Sequence, residues 1–368
     1  MAIFTDVFED VTKQGRKIPT SDYHETGVYP IIDQGQSAIA GYTDETDGLF
    51  TDVPAIIFGD HTRVLKYVDT PCFLGADGVK LLKAKIANPN YKYLYYVLSN
   101  ANIPNTGYNR HFKWLKEVDI PLPSADEQQE IVDTLDKISE LITLRKAQLA
   151  KLDQLVKSRF IELFGDPERN PYNWGKTAIG KVIQSCEAGW SGNGTQREKN
   201  PGEIAVLKVS AVTKGYFAPE ECKVLDNQSE IKKYVFPQKG DLLFSRANTR
   251  EMVGATAVIW QDYPELILPD KLWKIRFVSC ANVLYMKHIL SHPSIRAKFS
   301  EASTGTSGSM YNVSMEKFKA IVVPLPPIEL QERFATFVEQ TDKSKMEIQQ
   351  SLDKLELLKK SLMQEYFG

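Results

Sequence analysis

The side chains best placed to do chemistry fall into two sets of polar loops, one in each half of the chain. The first half carries Asp33-Gln34-Gly35-Gln36, Asp60-His61-Thr62-Arg63 and Asn109-Arg110-His111 with Lys113. The second carries Trp190-Ser191-Gly192-Asn193-Gly194-Thr195-Gln196-Arg197, Ser245-Arg246-Ala247-Asn248-Thr249-Arg250 and Lys271. Arginine can bond guanine at two points, and asparagine or glutamine can do the same for adenine. Lysines and hydroxyls more often hold phosphates and set register. The candidate DNA-contacting residues are therefore Gln34, Gln36, His61, Thr62, Arg63, Asn109, Arg110, His111 and Lys113 in the first half. In the second they are Trp190, Asn193, Gln196, Arg197, Arg246, Asn248, Arg250 and Lys271. Taken singly, each could be an ordinary solvated loop side chain. As a set they favour contact, because similar clusters follow related apolar runs in both halves.

Catalytic patterns are missing. Asn88-Pro89-Asn90-Tyr91 lacks the second proline of an adenine-holding Asn-Pro-Pro-Tyr motif, and no glycine-rich loop precedes it, so it reads as a turn starter. Ser191-Gly192-Asn193-Gly194 is no dinucleotide fingerprint, and no Gly-x-x-x-x-Gly-Lys-Ser/Thr occurs. His288 and His292 are spaced to share a helix face, but no glutamate follows His288, so the zinc-protease pattern fails; Pro293 suggests a helix end instead. Cys72, Cys186, Cys222 and Cys280 are scattered beyond metal-ligand spacing, which makes zinc and a disulfide framework unexpected.

A chain of 368 residues exceeds one ordinary core of about 100–200 residues and implies two or three domains. The formal net charge of −2 argues against a polybasic coat and against an acidic DNA mimic, while permitting local basic clefts. No signal-peptide pattern opens the sequence, and no stretch approaches the ~18 continuous apolar residues of a membrane span. No membrane partner is expected, and a reducing cytoplasm is the expected location.

The elements that must position the loops are duplicated. Tyr108-Asn109, Lys116, Pro121-Leu122-Pro123 and Gln128 recur at constant offset as Tyr311-Asn312, Lys319, Pro324-Leu325-Pro326 and Gln331. The match runs on through Leu149, Leu152 and Leu155, paired with Leu352, Leu355 and Leu358, and ends at Phe164-Gly165 and Phe367-Gly368. Upstream, Ile56-Ile57-Phe58 before Thr62-Arg63 resembles Leu242-Leu243-Phe244 before Thr249-Arg250, each a buried strand meeting a polar turn.

The segment from Ser124 to Leu163 contains no proline or glycine; Ser124 supplies an N-cap and Gly165 a stop. Ile131, Leu135, Ile138, Ile142, Leu149, Leu152 and Val156 form a coiled-coil seam, interrupted by Arg145 and Arg159. The second copy, from about Pro327 to Tyr366, repeats it with Phe334, Val338, Thr341, Ile348, Leu352, Leu355 and Leu362, interrupted by Lys345 and Lys359. At 1.5 Å per residue a helix of ~40 residues is about 60 Å long. Neither could leave such a stripe exposed, so the two are expected to pair, antiparallel because a whole block connects them. The prolines before each helix make stiff extended junctions.

Together these features resemble the specificity subunit of Type I restriction–modification systems. The resemblance is carried by the doubled Pro-Leu-Pro with its glutamine and long helix ending in Phe-Gly. It is carried too by Phe58-Gly59-Asp60-His61-Thr62-Arg63, Gly75-Ala76-Asp77-Gly78-Val79-Lys80 and Tyr108-Asn109-Arg110-His111-Phe112, and by Gly240-Asp241-Leu242-Leu243-Phe244-Ser245-Arg246 and Leu268-Pro269-Asp270-Lys271-Leu272-Trp273. It implies an α+β chain of two globular mixed α/β target-recognition domains separated by two long antiparallel coiled-coil helices. The expected division is residues 1–123 and 166–326 for the recognition domains, with helices at 124–165 and 327–368. It further implies a non-catalytic subunit that reads a bipartite asymmetric site in double-stranded DNA and docks two methyltransferase subunits and restriction/translocase subunits. S-adenosylmethionine, ATP and magnesium would belong to those partners, with no cofactor in this chain. A coiled-coil adaptor that binds proteins rather than DNA is the alternative. On the missing motifs, the purified chain alone is expected to show no methylation, nuclease or ATPase activity; turnover of S-adenosylmethionine by this chain alone would overturn that expectation.

Overall fold

Each doubled apolar run becomes the central strand of a sheet, and the two sheets share one topology. The structure, a computed structural model, describes residues 1–75, 77–304 and 311–368; Ala76, within the Gly75–Lys80 motif, lies outside the described residues. The chain divides into two compact units, Met1–Ala147 with Ile348–Gly368, and Gln148–Glu347. The first runs β1 (Ala2–Ile3), α1 (Phe4–Val7), β2 (Phe8–Asp10), β3 (Tyr29–Ile32), β4 (Gly41–Thr43), β5 (Ala55–Gly59), β6 (Leu65–Val68), β7 (Phe73–Leu74), β8 (Val79–Ala84), α2 (Tyr91–Asn100), α3 (Phe112–Leu115) and β9 (Asp119–Ile120) into α4 (Ala125–Phe164). Strands pair in the orders β2-β8-β5-β6 and β4-β3-β7, with β1 on β9.

The second unit follows α4 with β10 (Lys176–Ala178), α5 (Ile179–Val182), β11 (Ile183–Ala188), β12 (Gly194–Thr195), β13 (Ala205–Leu207), β14 (Cys222–Leu225), β15 (Leu242–Ser245), β16 (Ala247–Asn248), β17 (Thr256–Val258), β18 (Leu266–Ile267) and β19 (Leu272–Phe277). It continues through α6 (Val283–Ser291), α7 (Pro293–Ala302), β20 (Tyr311–Asn312), α8 (Met315–Ala320) and β21 (Val322–Pro324) into α9 (Ile328–Phe367). The orders β11-β19-β15-β17, β12-β14-β13-β18 and β10-β21 repeat those of the first unit; β12, the β16-β20 ladder and α7 are additions.

The central strands read as unbroken apolar runs because both of their faces are covered. Ile56 and Phe58 face one core with Leu82 and α2, while Ala55 and Ile57 face another with Val79 and Leu81. In β15, Leu242 and Phe244 join Trp273 and Ile275, whereas Leu243 turns to Ala257 and Leu272. Asn88 takes a left-handed φ of 50° and Asn90 caps α2, accepting from the Tyr93 N–H, so the Asn-Pro-Asn run is a turn and cap. His292 caps α7 just ahead of Pro293, as expected of a helix end, whereas His288 lies inside α6.

The duplicated motifs act at the junctions between block and helix. Tyr93 donates its hydroxyl hydrogen to the Pro121 carbonyl (2.9 Å), and Tyr285 does the same to Pro324 (2.7 Å). The Gln128 carboxamide donates to Pro123 O (2.9 Å), and that of Gln331 to Pro326 O (2.7 Å). Gln331 is fully buried and also accepts from the Asn282 N–H (2.9 Å) and donates to Cys280 O (3.1 Å). The helix ends meet the same tyrosines: Phe367 packs edge-on against Tyr93 at 5.7 Å, and Phe164 against Tyr285 at 4.8 Å.

Both helices are single elements of 40 residues. Ser124 and Glu127 close a reciprocal capping box at the start of α4, with the Ser124 N–H donating to Glu127 Oε2 (2.9 Å) and the Glu127 N–H to Ser124 Oγ (3.3 Å). Gly165, at φ +75°, ends it by donating to Ile161 O (2.8 Å), a left-handed turn that glycine adopts without strain. Within the first unit Lys146 pairs with Glu356 (2.8 Å), and Leu362 and Phe367 pack beside Leu135. Within the second, Lys345 pairs with Asp153 (2.5 Å), Arg159 lies over Phe337, and Phe160 meets Phe334. In each unit the two segments therefore run antiparallel. The charges that interrupt the stripes have partners: Lys345 also meets Asp342 (3.3 Å), Arg159 pairs with Glu162 (2.6 Å), and Lys359 lies over the Tyr96 ring (5.7 Å). Among the described residues no helix is long and apolar enough to cross a membrane.

Gln331→Ala strands an N–H and two carbonyls in a buried site and is expected to destabilise the protein by on the order of 3 kcal/mol. Gln128→Ala, which loses one half-buried bond, should cost about 1 kcal/mol or less. Urea unfolding of the full chain measures both; equal small losses would show that the buried junction is not the stronger one.

Candidate nucleic-acid interface

In the first unit the loops after β3 and β5 converge on the segment ahead of α3. Gln34 is the hub: its Oε1 accepts from the His61 N–H (3.3 Å), its Nε2 donates to Asp77 O (3.0 Å), and its carbonyl accepts from the Thr62 hydroxyl (2.6 Å). Gly78, at φ +85°, leaves room for it, since a Cβ there would lie 2.7 Å from the Gln34 carboxamide. His61 Nδ1 donates to the Asn109 carbonyl (3.2 Å), and its ring stacks on Tyr108 at 4.6 Å and 7°. Tyr108 is 88% exposed. Asn109 Nδ2 donates to Thr106 O (2.5 Å). Gln34, His61, Thr62 and Asn109 thus form one patch. Arg63 sits beside it in a left-handed conformation (φ 63°), reaching Ile103 O at 3.2 Å. Gln36 and Arg110 are exposed on the same loops, and Lys113 is exposed with its Nζ 4.1 Å from the Trp114 ring.

His111 departs from the expected surface role. It is fully buried, its N–H and Nδ1 both donate to the Asp60 carbonyl (2.8 and 3.0 Å), and its Nε2 lies 3.5 Å from Thr106. Buried Asp60 in turn accepts from the Phe112 N–H (2.7 Å). This pair anchors the loop from beneath, a task that a polar motif in sequence does not separate from surface contact.

The second unit builds the corresponding patch around Asp270. Arg246 Nε donates to Asp270 O (2.8 Å), its Nη2 lies 3.4 Å from the carboxylate, and Ser191 bonds the same carboxylate. The Arg246 N–H donates to Lys271 O (3.0 Å). Asn248 pairs with Tyr311 in the β16-β20 ladder, and its side chain accepts from the Thr249 N–H (2.8 Å). Arg250 is exposed, its guanidinium carbon 6.0 Å from the Tyr311 ring. Trp190 is half-buried against Val206, Leu225 and Ile267, so its ring chiefly packs. Asn193 is exposed beside β12. Gln196 and Arg197 are engaged elsewhere, Gln196 with Lys208 (3.1 Å) and Arg197 with both oxygens of Glu203 (2.7 and 2.8 Å); Arg197 holds the Glu203 carboxyl down at about 2.

Tyr108 and Tyr311 belong to these patches and were missing from the sequence-derived candidates. Their doubled Tyr-Asn marks the repeat and, in the first half, the family resemblance, but does not itself point to a ring in the patch. Asp77 and Asp270 stand in motifs that carry the resemblance, but their contacts with Gln34 and Arg246 are made only by folding. A separate cavity of about 670 Å³ lies in the second unit, lined by Lys157, Tyr216, Trp260, Lys287, His288 and Arg296 among others. Burial drives the His288 imidazole well below its usual pKa. Among the described residues no group of three or more His, Cys, Asp or Glu is placed to hold a metal.

The family model described as Type I restriction modification DNA specificity domain matches residues 4–154 and 171–358. The chain is 28% identical over 226 residues to the Type I restriction enzyme EcoEI specificity subunit of Escherichia coli, covering 59% of this chain but 37% of that one. It is 25% identical over 351 residues to the EcoR124I/EcoR124II specificity subunit of Escherichia coli, covering 88% of this chain and 82% of that one. The chain therefore spans little more than a third of one relative and most of the other. The fold is that of the crystal structure of a Type-I restriction-modification system S subunit from M. genitalium, with a TM-score of 0.62 at 15% identity over 100% of this chain and 95% of that one. With both halves matched, the chain belongs to the Type I restriction modification DNA specificity family, the specificity subunits of these systems.

Proposed function

We propose that this chain is the non-catalytic DNA-reading subunit of a Type I restriction–modification complex, and that its two loop patches read the two halves of a bipartite, asymmetric site. The observation that carries this reading is the doubling of the patches: the same topology presents the same loop cluster twice, but with different side chains. Gln34, His61, Thr62 and Asn109 stand in one patch, and Arg246, Asn248, Arg250 and Lys271 in the other. A related scaffold with different hydrogen-bonding groups reads different bases. Gln36, Arg63, Arg110 and Lys113 flank the first patch, and Asn193, Gln196 and Arg197 flank β12 in the second unit, positions where phosphate contacts would set register.

In this reading residues 1–123 and 166–326 are the recognition domains, and the segments 124–165 and 327–368 pair as a coiled-coil spacer. Exposed Leu141, Leu144, Leu357 and Leu358 on those segments suit the docking of two methyltransferase subunits and of restriction/translocase subunits. S-adenosylmethionine, ATP and magnesium then act in the partners. A cytoplasmic setting, where the DNA is, follows.

Arg250→Ala is expected to relax one half-site only, costing on the order of 1–3 kcal/mol of discrimination if a two-point base contact is lost. Mapping of methylated adenines across a genome by the reconstituted methyltransferase complex measures it, and equal loss in both half-sites would contradict modular reading. Inserting four residues after Arg145, with a matching insertion in α9 near Glu356, adds about 6 Å of helix, close to two base-pair steps at ~3.4 Å. The same mapping should find a gap longer by one or two bases with both half-sites unchanged. An unchanged gap would limit the helices to docking.

A further inference from the structure

The stacked pair His61–Tyr108 has a chemical polarity that can be read from its contacts. His61 Nδ1 faces the carbonyl oxygen of Asn109 at 3.2 Å. A carbonyl oxygen only accepts, so Nδ1 carries the hydrogen, and in the neutral ring the Nε2 lone pair is what remains for an outside partner. The ring has little freedom to turn away. Its backbone N–H is held by Gln34 Oε1 (3.3 Å), and its face lies flat on Tyr108, 4.6 Å away at 7°. Tyr108 itself is 88% exposed, a large aromatic ring left in solvent with one face occupied by the imidazole.

In the major groove, hydrogen donors occur only on the exocyclic amines of adenine (N6) and cytosine (N4); guanine and thymine present acceptors at the corresponding positions. We propose that His61 is a specificity-determining residue that accepts a hydrogen bond from adenine N6 or cytosine N4 in the first half-site, and that Tyr108 is the positioning residue that fixes its plane. This rests on the reading of the chain as a DNA-recognition subunit. The second unit places an aromatic ring of the matching repeat position beside a group of opposite sense. Tyr311, the counterpart of Tyr108, lies 6.0 Å from the Arg250 guanidinium, which can only donate and so suits guanine O6 and N7. The two arms thus share an aromatic support but differ in the hydrogen-bonding character of what it supports.

The test uses the chain assembled with its methyltransferase subunits, in two readouts. Methylated adenines are mapped across a genome, and binding is measured to a duplex panel carrying each of the four bases at every position of the first half-site. The variants are His61→Ala, His61→Arg, Tyr108→Phe and Tyr108→Ala. The unaltered complex should prefer adenine or cytosine at one position by roughly five- to tenfold, about one net hydrogen bond. His61→Ala should abolish that preference and His61→Arg should turn it towards guanine, with the second half-site unchanged in both. Tyr108→Phe should keep the preference, because stacking survives, and Tyr108→Ala should weaken it at the same position. An intact second half-site shows that a variant is folded. A variant too weak to methylate is decided by the binding panel, where a preference lost with His61 supports the proposal and one that persists refutes it. Preference for guanine or thymine at the position that His61→Ala relaxes, or no relaxed position, would overturn the proposal while leaving DNA reading intact. Failure of the unaltered complex to select any sequence would overturn the underlying reading instead.

Discussion

The junction between each block and its helix is the constraint on which the rest of the structure depends. A Pro-Leu-Pro segment offers carbonyls and only one N–H, so it cannot satisfy itself by joining a helix or a central strand. Tyrosine and glutamine side chains supply the missing donors: Tyr93 and Gln128 in the first unit, Tyr285 and Gln331 in the second. Each tyrosine ring then receives the phenylalanine that ends the other long helix, Phe367 or Phe164. One side chain thus ties together a helix of the block, α2 or α6, the linker that leaves the block and the end of the incoming helix. The doubled motif serves this joint, and its parts are spaced in sequence because they come from different elements.

Above the joint, the fold carries two different sets of polar loops on one repeated frame. A central strand buried on both faces is held by two cores at once, so its register is fixed whatever side chains follow it. The exposed part of the loop after β5 or β15 can therefore differ in polar content while buried groups such as Asp60 hold its base. The two units show this directly: around related strands, one loop set is organised by a glutamine carboxamide and the other by an aspartate.

Much of the polarity in these loops is spent internally. Gln34, Arg197 and Arg246 already hold partners, which fixes loop shape and leaves fewer groups, such as His61, Arg110 and Arg250, to face outward. This squares with a net charge of only −2 in a chain that belongs to a DNA specificity family. Shape and a few oriented donors and acceptors, rather than a large positive surface, would carry discrimination, while phosphate attraction would be local.

The sequence by itself determined the repeat, the two long helices with their Ser124 and Gly165 boundaries, the buried central strands and the family. All of these rest on local periodicity, on capping chemistry or on self-similarity along the chain, and none needs long-range contacts to be seen. It also located the polar loops, since loops follow strands. Tertiary structure alone decided what each loop residue does. His111 and Arg110 are neighbours in one polar motif, yet one is fully buried beneath Asp60 and the other is exposed. The role of Tyr108 was equally hidden, because stacking on His61 joins residues far apart in the chain. Burial and partner choice are properties of surfaces brought together by folding, and a hydrogen-bonding side chain looks the same in sequence whether its partner is the protein's own backbone or a molecule outside it.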